Sequence, residues 1–242
     1  MYELSSELNS LDRFTVREPA SVGEAVTMPA KQDLPVVEDF LAPLMGVDEP
    51  HAETVLRFAR LGEFCGGPTG AHVERMSQYC GLLAHRLHLA ADRCALLRLA
   101  SQLHDVGNLR MPHAILMKHG QLAPLEYELI KGHAEAGYQM LCKAKSELVR
   151  VAASIARTHH ERCDGSGYPR NLNKNEIPLE ARIAAVADVF DALTTTRPYR
   201  APFAVGEAIE MIGSQRGHHF DPDVVDAFLG SMADVEALRL SY

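Results

Sequence analysis

From His51 onward, apolar positions recur at three- and four-residue steps nearly everywhere, the period of amphipathic helices. Residues 53–65 place Val55, Leu56, Phe58, Ala59 and Leu61 on one face before Gly66, Gly67 and Pro68 break the run. A second helix is predicted over 69–89. A third is predicted over 94–104, capped by Asp92, with Leu96, Leu97, Leu99, Ala100 and Leu103 as its buried stripe and Gly107 just past its end. Residues 109–122 read as a loop holding one short helical turn. Pro124 suits the first turn of a helix running to about 145. Further helices are predicted over 147–160, 178–196, 203–213 and 222–232, the last introduced by Asp221 and Pro222. No strand-like alternation persists beyond three or four residues. The expected fold class is all-α, a helical bundle. Residues 1–50 carry Pro19, Pro29, Pro35, Pro43 and Pro50 and sustain no period. They read as a leader or linker, the remnant of a regulatory domain, in front of a catalytic domain at 51–242.

Composition narrows the chemistry. The 242 residues are 47% hydrophobic but only 6% aromatic, which suits a core of Leu, Ala, Val and Ile between helices. The formal net charge of -8 argues against duplex nucleic acid as a partner. No apolar run approaches the roughly 18 residues of a membrane span, and the acidic N-terminus is no signal peptide. Five scattered cysteines without a CxxC fit reduced thiols and a cytoplasmic protein.

The informative stretch is 155–169, IARTHHERCDGSGYP. His159 and His160 close an apolar helical run, Glu161 follows, and Gly165, Gly167 and Pro169 force the chain into a loop. Paired imidazoles at a helix end suggest a metal site. Other residues can complete it. His104 and Asp105 end an apolar stripe, His133 sits mid-helix among Ile130, Ala134 and Ala136, and His72 lies near a helix start. Asp188 is embedded in an apolar run, with Asp191 on the same face three residues on. Singly, each has an ordinary explanation: a helix cap, a satisfied core histidine, a solvated charge. Together, His72, His104, Asp105, His133, His159, His160 and Asp188 offer seven N and O donors from five predicted helices. Imidazole and carboxylate without thiolate favour Fe or Mn, and also admit Ni or Zn. Seven donors exceed what one ion with an open position needs. They suit two divalent ions about 3.5–4 Å apart, with Asp105 as the bridge.

These residues resemble the HD superfamily of metal-dependent phosphohydrolases. HHERCDGSGYP at 159–169 is more specific and resembles the HD-GYP family, cyclic di-GMP phosphodiesterases of bacteria. HDVGNLRMPHAILMKHGQL at 104–122, IPLEARIAAVADVFDALTTTRPYR at 177–200 and GHHFDPDVV at 217–225 resemble that family too. The resemblance covers about residues 53–230. It implies an all-α core with the seven donors as metal ligands. It implies hydrolysis of the 3′–5′ phosphodiester of cyclic di-GMP to pGpG, and onward to GMP, by a hydroxide activated between two metals. Asp105, Asp191 and Asn108 are the implied catalytic residues, with Asp191 orienting the phosphate-holding arginines or the nucleophile. Arg197 and Arg200 match positions that hold substrate phosphate, and Arg suits that geometry. Gly165, Gly167, Tyr168 and Pro169 form the loop credited with shaping the cleft and contacting diguanylate cyclases (GGDEF proteins).

Two departures stand out. The family usually has Lys after HDxG, where this chain has Asn108, so a cation that would meet the phosphate is missing. Members with a third metal carry Glu four residues before the first His ligand, where this chain has Pro68. Two metals are therefore expected, with His113 as a distant candidate for a third position. The rival reading is a weakly active or inactive cyclic dinucleotide sensor that docks a GGDEF partner.

Overall fold

The computed structural model describes residues 71–118, 120–196 and 201–241. The predicted helix at 53–65, Pro68, the proposed leader, Arg197 and Arg200 lie outside the described residues. Those described are helical, and their only extended pairings are two isolated bridges, Asp164 with Asn173 and Arg216 with Phe220. The helices are α1 (Ala71–Arg86), α2 (Ala91–Ala100), α3 (His113–Leu116), α4 (Pro124–Leu141) and α5 (Glu147–Thr158). After a long loop come α6 (Leu179–Thr194), α7 (Val205–Ser214), α8 (Pro222–Leu229) and α9 (Met232–Leu240). None is long and apolar enough to cross a membrane.

The order follows from burial. α6 buries Ile183, Ala184, Ala185, Val186, Ala187, Phe190 and Leu193, apolar nearly all round, so it takes the centre. It packs against α1, α5, α7 and α8. α5 is one-sided: Val149, Ala152, Ala153, Ile155 and Ala156 are buried, and Arg150 faces outward. It lies across α2, α4 and α6. Tyr79 and Phe228 meet Phe190 edge-on at 5.5 and 5.0 Å, joining α1 and α8 to the central helix.

Several boundaries differ from those expected. α2 begins at Ala91, so Asp92 lies inside its first turn, where a carboxylate favours the helix dipole, instead of capping from outside. The expected helix to His104 stops at Ala100 and tightens into a 3-10 turn, Ser101–Leu103. A second 3-10 turn, Val106–Arg110, follows, so Gly107 sits within a turn and does not end the helix. α4 ends at Leu141, short of 145. α8 opens as expected: the Asp221 carboxylate accepts from the Asp223 N–H at 3.0 Å, ahead of Pro222. α9 was not predicted, because only Val235 in it is buried and no apolar period marks it.

Candidate metal centre

The two 3-10 turns set Asp105 between α2 and α4. Gly107 makes this possible: a Cβ there would lie 1.9 Å from the His133 carbonyl oxygen and 2.6 Å from Gly137 N. The turn thus rests on the backbone of α4, directly beside His133. α5 ends at Thr158, and its last turn delivers His159 as the C-cap residue, with His160 next.

All seven predicted donors converge, in two groups. Asp105, His133, His159 and His160 form one; His72, His104 and Asp188 form the other, and within each the donor atoms lie within 4.8 Å of one another. Asp105 faces both. Its Oδ1 is 3.3 Å from His133 Nε2 and 3.6 Å from His159 Nε2, and its Oδ2 is 3.8 Å from His104 Nε2. In the second group Asp188 Oδ1 is 3.2 Å from His72 Nε2 and 4.0 Å from His104 Nε2. Donors about 2.0–2.2 Å from one ion sit roughly 3–3.5 Å from each other, so these separations suit a shared ion.

The nitrogens themselves supply the test of fit. Nε2 of His104, His133 and His159 is buried and meets no hydrogen-bond partner. A buried polar atom left so costs several kcal/mol. Their other nitrogens are held: Nδ1 donates to the Ser101 carbonyl (3.0 Å) in His104, to Ile130 (2.7 Å) in His133, and to Ile155 and Ala156 (3.0 and 3.1 Å) in His159. Backbone acceptors at Nδ1 leave a lone pair on each Nε2, aimed at Asp105 and at one another, which is the presentation a divalent cation needs.

Electrostatics divides the histidines. Burial pushes His104 down to about 4 and His133 down to about 3, with Asp105 opposing in both. Burial also opposes charge on His72, but Asp188 and Asp191 outweigh it and push that imidazole up to about 9. Burial works against ionisation of Asp188 too, yet His72 and His104 hold its carboxyl well below the usual range.

Asp191 lies fully buried beside the ion site and not in the ring of donors. His72 Nδ1 contacts its Oδ2 at 2.7 Å, and Arg75 grips it through Nε (2.6 Å) and Nη2 (2.9 Å). Arg75 escaped the sequence reading; the available signal was its place one turn after His72, on the same face. Asn108 is buried, its N–H bonded to the Asp105 carbonyl at 2.9 Å. His113 is exposed and belongs to neither group.

The loop beyond His160 is fixed from below. Glu161 is buried and accepts from the N–H groups of Arg170 (2.7 Å) and Leu172 (2.9 Å). Cys163 and Asp164 donate their N–H groups to the carbonyls of His219 and His218 at 3.1 and 2.9 Å, so the 217–221 segment backs the loop. Gly165 has φ +80°, a conformation that favours glycine. A Cβ on Gly167 would lie 2.3 Å from Arg162 N, so the chain can double back there only as glycine. The result is that Tyr168 stacks on His160, centroids 4.7 Å apart and planes 24° apart. The half-buried Pro169 follows through a cis peptide bond.

Residues 67–224 match the model of the HD domain family, described as HD domain. The chain belongs to that family. Its loop at 159–169 and its relatives agree with the HD-GYP type. The chain is 42% identical over 205 residues to the cyclic di-GMP phosphodiesterase response regulator RpfG of Xanthomonas campestris, covering 85% of this chain and 54% of that protein. It is 40% identical over 198 residues to a 3′3′-cGAMP-specific phosphodiesterase of Vibrio cholerae, covering 82% of this chain and 38% of that one. A cyclic di-GMP phosphodiesterase of Thermotoga maritima is 41% identical over 169 residues, with 70% and 46% covered. The chain thus spans about half or less of each relative's length. Among solved structures, Bd1817, an HDG"Y"P protein from Bdellovibrio bacteriovorus, shares the fold: TM-score 0.51 at 19% identity, over 79% of this chain and 62% of that one.

Proposed function

We propose that this HD domain is a metal-dependent phosphodiesterase of cyclic dinucleotides, with cyclic di-GMP as substrate and pGpG as first product. The observation that carries the reading is the set of three buried, unpartnered Nε2 atoms converging on the two oxygens of Asp105. Seven donors in two groups with one carboxylate between them suit two divalent ions, iron or manganese before nickel or zinc. Bound there, such ions supply Lewis acidity and an activated water for attack on phosphorus.

The chain's own residues do the rest. Asp105 spans both groups and so sets their spacing. His133, His159 and His160 hold one group; His72, His104 and Asp188 hold the other. Asp191 orients His72 instead of acting on the substrate. Tyr168, flat on His160 and with the Lys131 ammonium 5.8 Å over its ring, puts an aromatic side chain at the edge of the centre. Gly165, Gly167 and Pro169 fix that side chain in place. Arg197 and Arg200 take the phosphates. The loop around Tyr168 is also the proposed contact for GGDEF cyclases.

A second reading concerns the base. A relative at 40% identity is named as specific for 3′3′-cGAMP, so the adenine-containing dinucleotide is the competing substrate. The deciding experiment uses protein purified without oxygen. Metal content is measured, then turnover of cyclic di-GMP and 3′3′-cGAMP. Two ions per chain, with pGpG formed and lost in Asp105→Ala, is expected. Two ions and dinucleotide binding without turnover would replace the enzyme by a sensor, the outcome that Asn108 in place of Lys would account for. Full metal-dependent hydrolysis by Asp105→Ala would overturn the mechanism.

A further inference from the structure

The donor imidazoles are not all aimed by the same means. His104, His133 and His159 present Nδ1 to neutral backbone carbonyls. His72 presents Nδ1 to a carboxylate, Asp191 Oδ2, at 2.7 Å. That carboxylate has no exposure to solvent and is gripped by both Nε and Nη2 of Arg75, at 2.6 and 2.9 Å. The four residues come from two helices at matched spacing: His72 and Arg75 on α1, Asp188 and Asp191 on α6. Each pair is three residues apart and so shares a face. The contacts form a chain across the α1–α6 interface: Arg75 to Asp191, Asp191 to His72, His72 to Asp188.

The chemistry of this chain of contacts runs in one direction. A carboxylate held by a guanidinium fork accepts hydrogen bonds and donates none. Its contact with His72 therefore requires the proton on Nδ1, which leaves the Nε2 lone pair for the ion. Without the fork, Asp191 is free to turn, and the ring of His72 loses both its tautomer and its aim. In the other group, His133 and His159 are held through Nδ1 by backbone carbonyls instead.

We infer that Arg75, acting through Asp191, is a positioning residue that sets the ion affinity of the His72–His104–Asp188 site alone, and so makes the two sites of the centre unequal. This rests on the two-site reading above. Arg75 needs no contact with substrate for this role. A purely structural tie between α1 and α6 is the competing explanation, and it is separable because it predicts no difference between the two sites.

The test is manganese binding to metal-stripped full chain, followed by titration and by metal analysis after dialysis, for wild type, Arg75→Lys and Asp191→Asn. Both substitutions keep approximate size and a polar head. Lys keeps the charge but loses the bidentate fork. Wild type should bind two ions. Each variant should bind one ion as wild type does and the second about 10–100-fold more weakly. Equal affinities at both sites in the variants, with only the melting temperature of the stripped protein lowered, would leave a structural tie and overturn the inference. Fewer than two ions on wild type would remove the two-site reading, and this inference with it. The zinc-loaded wild type gives a check independent of folding in the variants. Nitrogen-15 NMR should find the His72 proton on Nδ1, and a proton on Nε2 would overturn the proposal.

Discussion

A Cβ on Gly107 would lie 1.9 Å from the carbonyl oxygen of His133. Two residues from the proposed bridging carboxylate, the chain rests on the backbone of the helix that carries the donor His133. That contact fixes how far Asp105 stands from His133. Both atoms are backbone or bonded to it, so neither can swing aside. Gly107→Ala should therefore push the 3-10 turn off α4, costing about 1–3 kcal/mol or more. Asp105 should move with the turn. Denaturant unfolding and metal content, measured on the same preparation, check this: both should fall together. A variant of wild-type stability that keeps its ions would sink the argument.

Asp105→Asn tests the bridge more narrowly. The amide keeps the shape and one oxygen, but it loses the charge and offers N–H groups to the Nε2 atoms on one side. Ion content should fall by one or both equivalents while the melting temperature of the stripped protein changes little. Removing the carboxylate also removes a half-buried acid set among imidazoles, so destabilisation comparable to that of Gly107→Ala is not expected. Metal analysis and a thermal melt decide it.

The convergence of the seven donors was legible because their chemistry is costly anywhere else. A buried His or Asp in an apolar helix demands a partner, and the sequence spacing puts His104–Asp105 and His159–His160 at helix ends, where side chains reach a common point. The helix types were legible for the same reason that α5 is one-sided and α6 is not: the apolar period survives in Val149, Ala152, Ile155 and Ala156. What escaped lies in side-chain choices between elements. Arg75 reads in sequence as a surface charge on an amphipathic helix, and only the packing of α1 on α6 turns it onto Asp191. The 3-10 turns that replace the end of α2 depend on Gly107 finding the backbone of α4, a contact no local pattern encodes. Glu161, next to the two histidines, turns inward to backbone N–H groups, a placement no sequence pattern marks.

That turn of Glu161 carries its own prediction. Its two acceptor contacts satisfy the N–H groups of Arg170 and Leu172 under the Tyr168 loop. Glu161→Ala leaves both donors buried or exposed to water, at about 1–3 kcal/mol for an unsatisfied group. The loop should loosen while the helical core persists. Limited proteolysis should cut within 162–178 faster than in wild type. Ion content should stay at the wild-type level, and KM should rise more than kcat falls. Loss of ions with an intact loop would assign Glu161 to the centre after all.

The ion-free protein should show a stability maximum near pH 6.5, with a different histidine behind each limb. His72 is raised to about 9 from an ordinary value of 6.5, so its proton stabilises the fold fully below 6.5, and that contribution is lost as pH climbs through 9. His104 and His133 are depressed, to about 4 and about 3. As pH falls below 6.5 the unfolded chain takes up protons that the folded chain refuses, so stability drops toward pH 4 and below. Metal reverses the alkaline limb. His72 must release its Nε2 proton to donate to an ion, so loading strengthens as pH rises through 7 to 9. Thermal melts of stripped and manganese-loaded protein across pH 5–9 check both signs. The two curves should diverge with increasing pH. Parallel curves would mean that no ion competes with the His72 proton.

Asn108→Lys addresses the departure most relevant to activity. Asn108 sits in the 3-10 turn with Asp105, its N–H bonded to the Asp105 carbonyl at 2.9 Å. Its neutral side chain offers no charge to a phosphate. A lysine there is long enough to carry an ammonium out of the turn toward the ion site, burying its methylenes along the way. A charge-assisted hydrogen bond to a phosphate oxygen is worth about 1.5–3 kcal/mol, roughly a tenfold to hundredfold gain in kcat/KM by the relation of free energy to rate. The gain should appear with cyclic di-GMP and leave ion content unchanged, since Lys is no ligand here. A rise in kcat with KM constant would place the new cation on the transition state, and a fall in KM alone would place it on the bound substrate. If kcat/KM does not move, the phosphate already has its cations, with Arg197 and Arg200 the first to remove. If the wild type is inert and the lysine restores turnover, the natural chain is a binding protein on an enzyme's frame.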